Sequence, residues 1–433
     1  MENFFKLKEH KTNVKTEVLA GITTFMTMAY ILIVNPDILS QAGMDKGGVF
    51  TATALSAVIA TLVMALYAKL PFALAPGMGL NAFFTFSVVL GPMQKSWQFA
   101  LTAVLIEGII FILLSFVKAR EAIFDAIPMN LKNAVSVGIG LFISFIGLSG
   151  AGIVRAGGAI VELGDLTASA PLLAIIGIII TGILLAKNVK GALLIGIVLT
   201  TLIGIPMGVT VLPEGFKYIF GLPPSLKDVA FKFVSIEEIF SFEMIVVVFT
   251  FLFVDIFDTV GTLVGVASKA DMLDEEGRLP GVSKALMSDA VGTIAGACLG
   301  TSTVTTFVES ASGVAEGGRT GLTSLVTAGM FGLALFFAPL FTIVPSAATA
   351  PALVIVGLFM MSPIKKIDLD DYTEAIPAFL TIIAMPFAYS IAEGIVFGMV
   401  SYVLLKTLTG KWKDVSWVMY VLSVLFVLRF IFM

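Results

Sequence analysis

Residues 71–79 read Pro-Phe-Ala-Leu-Ala-Pro-Gly-Met-Gly, and residues 301–306 read Thr-Ser-Thr-Val-Thr-Thr. Each opens an apolar segment that would otherwise pass for a membrane-crossing helix. Two prolines and two glycines cannot make a regular first half of the former. The latter is a run of β-branched and hydroxylated residues, too short to cross as a helix. Both are expected to be an extended half followed by a half-helix. Irregular backbone at membrane depth survives only where it is buried in protein or lines a polar cavity. Two such breaks at matching places in two halves of a chain point to a transporter's binding site.

Composition places the whole chain in a membrane. Of 433 residues 58% are hydrophobic and 13% charged, with a mean hydropathy of +1.04. Soluble domains carry about 25% charged residues. The net charge of −4 leaves no basic surface for nucleic acid. The single cysteine, Cys298, excludes an intramolecular disulfide and reads as a small apolar filler. The single histidine, His10, lies in the polar N-terminal stretch, so no metal site can be built from histidines, and no cofactor is expected. The first apolar run, Val18 to Pro36, is too long for a signal-peptide core.

Crossing a ~30 Å hydrocarbon core takes about 20 apolar residues. Fourteen segments are predicted, at 16–36, 48–68, 71–91, 97–117, 130–150, 169–187, 191–211, 240–267, 282–300, 301–316, 320–343, 346–362, 374–390 and 391–408. A further apolar stretch, Trp417 to Phe432, is short and either spans or lies in the interface. With the N-terminus in the cytoplasm, 19 Lys and Arg fall on the cytoplasmic side and 6 outside, Arg429 being unassigned. That bias supports the alternation. The expected setting is a multi-pass protein of the plasma (inner) membrane, with the N-terminus and the region of residue 410 cytoplasmic.

The two halves resemble each other. Residues 127–142 align with 344–359, so that Pro128 meets Pro345 and Gly140-Leu-Phe meets Gly357-Leu-Phe. The third and tenth segments align so that Asn81 falls opposite Glu309. An odd number of spans per repeat gives inverted topology. The fold class is therefore an all-α polytopic membrane protein with short extended stretches in segments 3 and 10.

Acidic residues inside spans are costly and are candidate functional groups. In Phe251-Leu-Phe-Val-Asp-Ile-Phe-Asp258, Asp255 and Asp258 sit three apart and are expected on roughly one helix face. Phe251, Phe253 and Phe257 surround them with apolar surface. Glu309 is expected a few residues into its half-helix, with Asn81 at the related place in segment 3. Carboxylates accept the ring N–H and amino donors of a flat neutral base. An amide such as Asn81 serves donor or acceptor. At least one of Asp255, Asp258 and Glu309 is expected to change protonation during a transport cycle. Asp258 reads equally as an anchor bonded to nearby hydroxyls such as Thr262. Asp289 and Glu107 are read as structural pairs, Glu393 as interfacial, and the acidic loop Asp271 to Glu276 as solvated. Phe83, Phe84 and Phe307 are placed to stack on a base.

Three motifs in order then carry a resemblance over about residues 1–410. Residues 75–84, Ala-Pro-Gly-Met-Gly-Leu-Asn-Ala-Phe-Phe, residues 253–262, Phe-Val-Asp-Ile-Phe-Asp-Thr-Val-Gly-Thr, and residues 301–310, Thr-Ser-Thr-Val-Thr-Thr-Phe-Val-Glu-Ser, resemble the adenine, guanine and hypoxanthine permease branch of the nucleobase:cation symporter-2 family. Residues 21–36 are similar to that branch as well. The resemblance implies 14 transmembrane segments in a 7+7 inverted repeat, with segments 1–4 and 8–11 forming a core domain and 5–7 and 12–14 a gate. In residues, the core is 1–120 and 236–343, the gate is 121–235 and 344–410, and 411–433 is a C-terminal apolar helix. It implies proton symport of purine nucleobases by alternating access, and a homodimer through the gate. It also implies that Asn81, Asp255 and Glu309 bind the base with the backbone around Phe307 and Val308, while Asp258 supports or couples. Uracil-carrying relatives have a histidine in segment 8; none is here, so a proton role falls on carboxylates. Gly138, Gly140 and Gly147 in segment 5 and Gly357 in segment 12 would let helices pass closely.

Two rivals have different signatures. An anion carrier of the same fold wants a positive site, and no span centre carries Lys or Arg. A membrane aspartyl protease usually shows Gly-x-Gly-Asp in a span, which is absent. A receptor that binds a purine without moving it is separated from a carrier by flux alone.

Overall fold

The computed structural model describes residues 2–91, 93–116, 127–157, 160–212, 219–269, 272 and 279–432. The Phe257 and Arg429 side chains, the core–gate boundary at 120/121 and all of the acidic loop but Met272 lie outside the described set.

The chain opens with α1 (Val14–Met28) and α2 (Ile31–Gln41). Asn13 caps α1 by accepting from the Thr16 N–H at 3.0 Å. The expected single helix through this first segment is interrupted at Ala29 and Tyr30. There Leu32 and Ile33 donate three residues back, to Ala29 and Tyr30. Pro36 lies inside α2 and supplies no N–H for the Leu32 carbonyl.

Next come α3 (Lys46–Val63), the strand β1 (Leu74–Pro76) and the half-helix α4 (Met78–Ala82), which continues as a wider turn over Phe83–Val89. Then follow α5 (Trp97–Phe116), α6 (Met129–Gly150), the hairpin β2 (Val154–Gly157) and β3 (Ile160–Leu163), α7 (Ser169–Ala186) and α8 (Ala192–Gly204). The second half holds α9 (Phe242–Lys269), α10 (Val282–Leu299), β4 (Val304–Thr306), α11 (Ser310–Ala315), α12 (Gly321–Ala334), α13 (Ser346–Met360), α14 (Tyr372–Phe387), α15 (Ile391–Leu408) and α16 (Trp417–Phe432). Each of the fourteen expected segments falls on helical structure, the first on two helices and the third and tenth on a strand leading into a helix. Among the described residues nine helices are long and apolar enough to cross a membrane, and three shorter apolar ones accompany them.

Two sets of helices pack mainly within themselves. One comprises α1, α3, α5, α9, α10, α11 and α12, and the other α6, α7, α8, α13, α14 and α15, with α16 against α15. At the centre of the first, β1 and β4 pair antiparallel, with Leu74 opposite Thr306 and Pro76 opposite Val304. The first set is also tied by Glu17. This buried carboxylate accepts from the backbone N–H groups of Arg319, Thr320 and Thr323 at 2.9–3.3 Å, the start of α12. Unpaired N–H groups at a helix N-terminus favour a negative charge there.

The second set turns on α6 and α13. The Gly140 and Gly357 backbones pass so closely that a Cβ at Gly140 would lie 2.5 Å from the Gly357 carbonyl oxygen. These are the two glycines aligned between the sequence halves. At the end of this set Lys406, buried on α15, pairs with Glu374 at 2.7 Å. Lys411, following α15, binds Asp371 at 2.6 Å. The Lys411 ammonium, helped by Thr373, holds the half-buried Asp371 carboxyl well below the usual carboxylate range. Overpacking costs about 1–3 kcal/mol, so Gly140→Val and Gly357→Val should each lower the unfolding temperature of the purified protein in detergent. Gly182→Val, where a Cβ meets open space, should leave it unchanged.

Candidate functional site

The strand pair solves a backbone problem. Each strand has one edge on its partner, and the other edge faces a helix. Thr61 on α3 serves both groups of Leu74, its hydroxyl lying 3.0 Å from the N–H and 3.1 Å from the carbonyl. Thr293 on α10 serves Val304 the same way, at 3.2 and 3.1 Å. Two threonines on corresponding helices of the two halves thus cap the two strands in the same manner.

The hydroxyls of the Thr-Ser-Thr-Val-Thr-Thr run spread in different directions. Thr301 accepts from Asn35 at 2.8 Å, and Asn35 also donates to Thr53 at 2.7 Å. Ser302 donates to the Asn81 side-chain oxygen. Thr303 donates to Glu107 at 2.6 Å. Thr305 hydrogen-bonds Asp258. Thr306 Oγ1 and the Asn81 side-chain nitrogen, both buried, have no hydrogen-bond partner among the described residues. An orphaned buried donor is costly in a finished site and useful in one that awaits a ligand.

The candidate residues are not all gathered at one surface. Glu309 is the residue before α11, not inside it, because the tight turn Phe307–Ser310 precedes the helix. Its side chain is half-buried and lines a cavity of about 250 Å³. Thr27 and Ser312 line that cavity from the first helix set, and Asn188, Ala192 and Phe359 from the second. Val308 is 50% exposed, while Phe307 is buried in the apolar core. Asn81 and Asp255 are fully buried and do not line the cavity. Phe83 and Phe84 are fully buried as well, and Phe83 meets Phe251 edge-on at 4.9 Å.

Asp255 and Asp258 do not share one environment. Three helical residues leave them about 60° apart, enough to turn them to different neighbours. Asp255 accepts from the Thr259 hydroxyl at 3.0 Å, and Asp289 on α10 lies 3.2 Å from the same hydroxyl. Asp258 faces β4 through Thr305 and is close enough to Glu309 to interact electrostatically. The sequence reading missed Tyr30, which donates to Glu309 Oε1 at 2.8 Å. The signal was present: a phenol in the middle of an apolar segment needs a hydrogen-bond partner.

This is a membrane permease rather than an enzyme: paired half-helices meet in mid-bundle, with a carboxylate on a cavity between two helix sets. Residues 15–397 match the permease family, and the chain belongs to it, as a nucleobase:cation symporter-2 protein. It is 46% identical over 444 residues to the guanine/hypoxanthine permease PbuG of Bacillus subtilis, covering all of both chains. It is 42% identical over 432 residues to the adenine permease AdeQ of Escherichia coli, covering 100% of this chain and 96% of that one. The transmembrane domain of a cyanobacterial bicarbonate transporter, BicA, shares the fold, with a TM-score of 0.66 at 19% identity over 88% of this chain and 97% of that one.

The strand caps are testable. Leaving a buried backbone N–H or carbonyl without its partner costs about 1–3 kcal/mol. Thr61→Val and Thr293→Val should therefore each lower the unfolding temperature in detergent, by similar amounts, whereas Thr407→Val, at an exposed position, should not.

Proposed function

We propose that this chain carries purine nucleobases, guanine and hypoxanthine foremost and adenine as a further candidate, into the cell by proton symport. The observation that carries the reading is Glu309, an acceptor at the broken tenth segment that reaches a cavity between two separately packed helix sets. The named substrates of the Bacillus and Escherichia relatives support the same substrate class. A neutral base suits the site better than an anion, because carboxyl groups, Glu309 on the cavity and Asp258 near it, stand there and no lysine or arginine among the described residues lines the cavity.

In this reading the first helix set is the core (1–120 and 236–343) and the second the gate (121–235 and 344–410), in a 7+7 inverted repeat. Glu309 holds the base from the cavity with the backbone near Phe307 and Val308. Asn81 and Asp255, buried off the cavity in this conformation, complete the site in another state of the cycle. Asp258 supports Glu309 or shares its proton. Asn81's unpartnered donor favours a ligand with an acceptor edge. Base and proton load from outside, and deprotonation accompanies release inside. The gate's outer surface, where Phe379, Phe397 and Leu404 are exposed, suits lipid and a second copy of the chain alike.

The conformation fits an inward-facing state. The cavity is lined by Asn188 of the α7–α8 turn, which the charge bias assigns to the cytoplasm. At the opposite end Asp37 on α2 accepts from Lys46 at 3.0 Å and, across to the gate, from Ser346 at 3.0 Å and Thr349 at 2.8 Å. Asp37 is the centre of the closure on that side, and Lys46 adds a bond to the Val344 carbonyl at 3.4 Å. In a Cys298→Ser background carrying Ala347→Cys, Asp37→Ala should raise labelling by an impermeant maleimide added outside several-fold; unchanged labelling would refute an outer closure at Asp37.

Uptake of radiolabelled hypoxanthine, guanine, adenine and uracil, in cells lacking their own purine carriers, tests the function. The purines should accumulate, uracil should not, and a protonophore should abolish accumulation. Glu309→Gln should cut purine uptake at least about tenfold, the scale of one lost charge-assisted hydrogen bond. No uptake of any base by well-expressed protein sinks the substrate class. Protonophore-insensitive accumulation sinks the coupling alone.

A further inference from the structure

Tyr30 occupies the break between α1 and α2, at the middle of the first segment. It is 1% exposed, so packing fixes its ring. Its hydroxyl donates to Glu309 Oε1 at 2.8 Å. The two groups come from opposite halves of the chain. Thr27, one turn earlier on α1, lines the same cavity as Glu309. Asp258 interacts electrostatically with both Tyr30 and Glu309. Without a donor beside it, a carboxylate next to a second carboxylate has no reason to hold one rotamer.

We propose that Tyr30 is a positioning and specificity-determining residue that holds Glu309 Oε1 and leaves Oε2 as the stronger acceptor for a substrate. The inference rests on the purine reading of Glu309. A free carboxylate takes two parallel donors from one planar ligand. With one oxygen already accepting from a phenol, Glu309 is a full acceptor at Oε2 and a weaker, directionally restricted one at Oε1. Hypoxanthine offers one donor on its pyrimidine edge, the N1–H. Guanine offers two side by side, the N1–H and the 2-amino group. The held oxygen therefore weakens the bidentate contact that would otherwise favour guanine over hypoxanthine. Tyr30 brings the affinities for a one-donor and a two-donor purine close together.

The test is equilibrium binding of labelled hypoxanthine and guanine to purified, monodisperse protein, for the wild type and Tyr30→Phe. Wild type should bind the two bases within about threefold of each other, since the second donor finds only an oxygen already shared with the phenol. Tyr30→Phe should weaken hypoxanthine about tenfold, the scale of one charge-assisted bond lost from the carboxylate's support. Guanine should weaken much less, because the freed Oε1 accepts its amino group. The guanine-to-hypoxanthine preference should thus rise about fivefold or more. A purely structural role for the phenol would weaken both bases equally, and that result overturns the proposal. So does a wild type that already prefers guanine about thirtyfold, a measurement that stands even if the variant does not fold. Binding of neither base by wild type overturns the purine reading and this inference with it, whereas normal wild-type binding with an unchanged ratio in the variant overturns this inference alone.

Discussion

The structure depends on backbone hydrogen bonding between two strands of three residues each. In mid-bundle no water is at hand to satisfy an unpaired N–H or carbonyl, and each orphan would cost several kcal/mol. The chain nonetheless abandons the helix twice there, at Leu74–Pro76 and Val304–Thr306. It can do so because each strand is the other's partner and because Thr61 and Thr293 supply the remaining edges. The half-helices that follow begin where the strands stop. Their positions, and hence that of Glu309, are set by a six-residue sheet.

The broken segments were legible because their chemistry is local. Proline and glycine at 71–79 and a β-branched run at 301–306 forbid or disfavour helix whatever surrounds them. The acids were legible for a related reason, since a carboxylate in an apolar segment demands an explanation. Tyr30 was passed over because a tyrosine raises no such alarm in a hydropathy reading; only the distance to Glu309, 279 positions away, gives it a role. The divergence of Asp255 and Asp258 was illegible for a similar reason. Which neighbours a 60° difference selects depends on where α10 and β4 stand, and that is tertiary information. The interruption at Ala29–Tyr30 carried a local sign in Pro36, but proline inside a span is common enough to be read through.

The two helix sets meet differently at their two ends. At one end Asp37 reaches across to Ser346 and Thr349. At the other, a cavity lies near the ion pair of Lys190 with Glu316. The close crossing of Gly140 and Gly357 stiffens the second set internally, and Glu17 at the α12 terminus stiffens the first. Hydrogen bonds such as those of Asp37 can be exchanged for others when the two sets move, while apolar contacts such as Phe86 against Tyr389 also cross the seam and must slide.

The strand pair also sets an order of events during synthesis. Residues 71–77 emerge and enter the bilayer long before residues 303–307, their strand partners, exist. For that interval the first half carries an unpaired extended stretch in or near lipid. Thr61, a neighbour in sequence, can cap one edge at once; the other edge must wait for more than two hundred further residues. Closing so long a loop is slow, although its entropic cost grows only logarithmically with length. The first half is therefore an incomplete folding unit, and its commitment to the native arrangement is postponed until the tenth segment arrives. Nascent chains truncated before residue 303 lack the group that makes the early half chemically tolerable in a membrane, which makes them natural clients for chaperones and for membrane proteases.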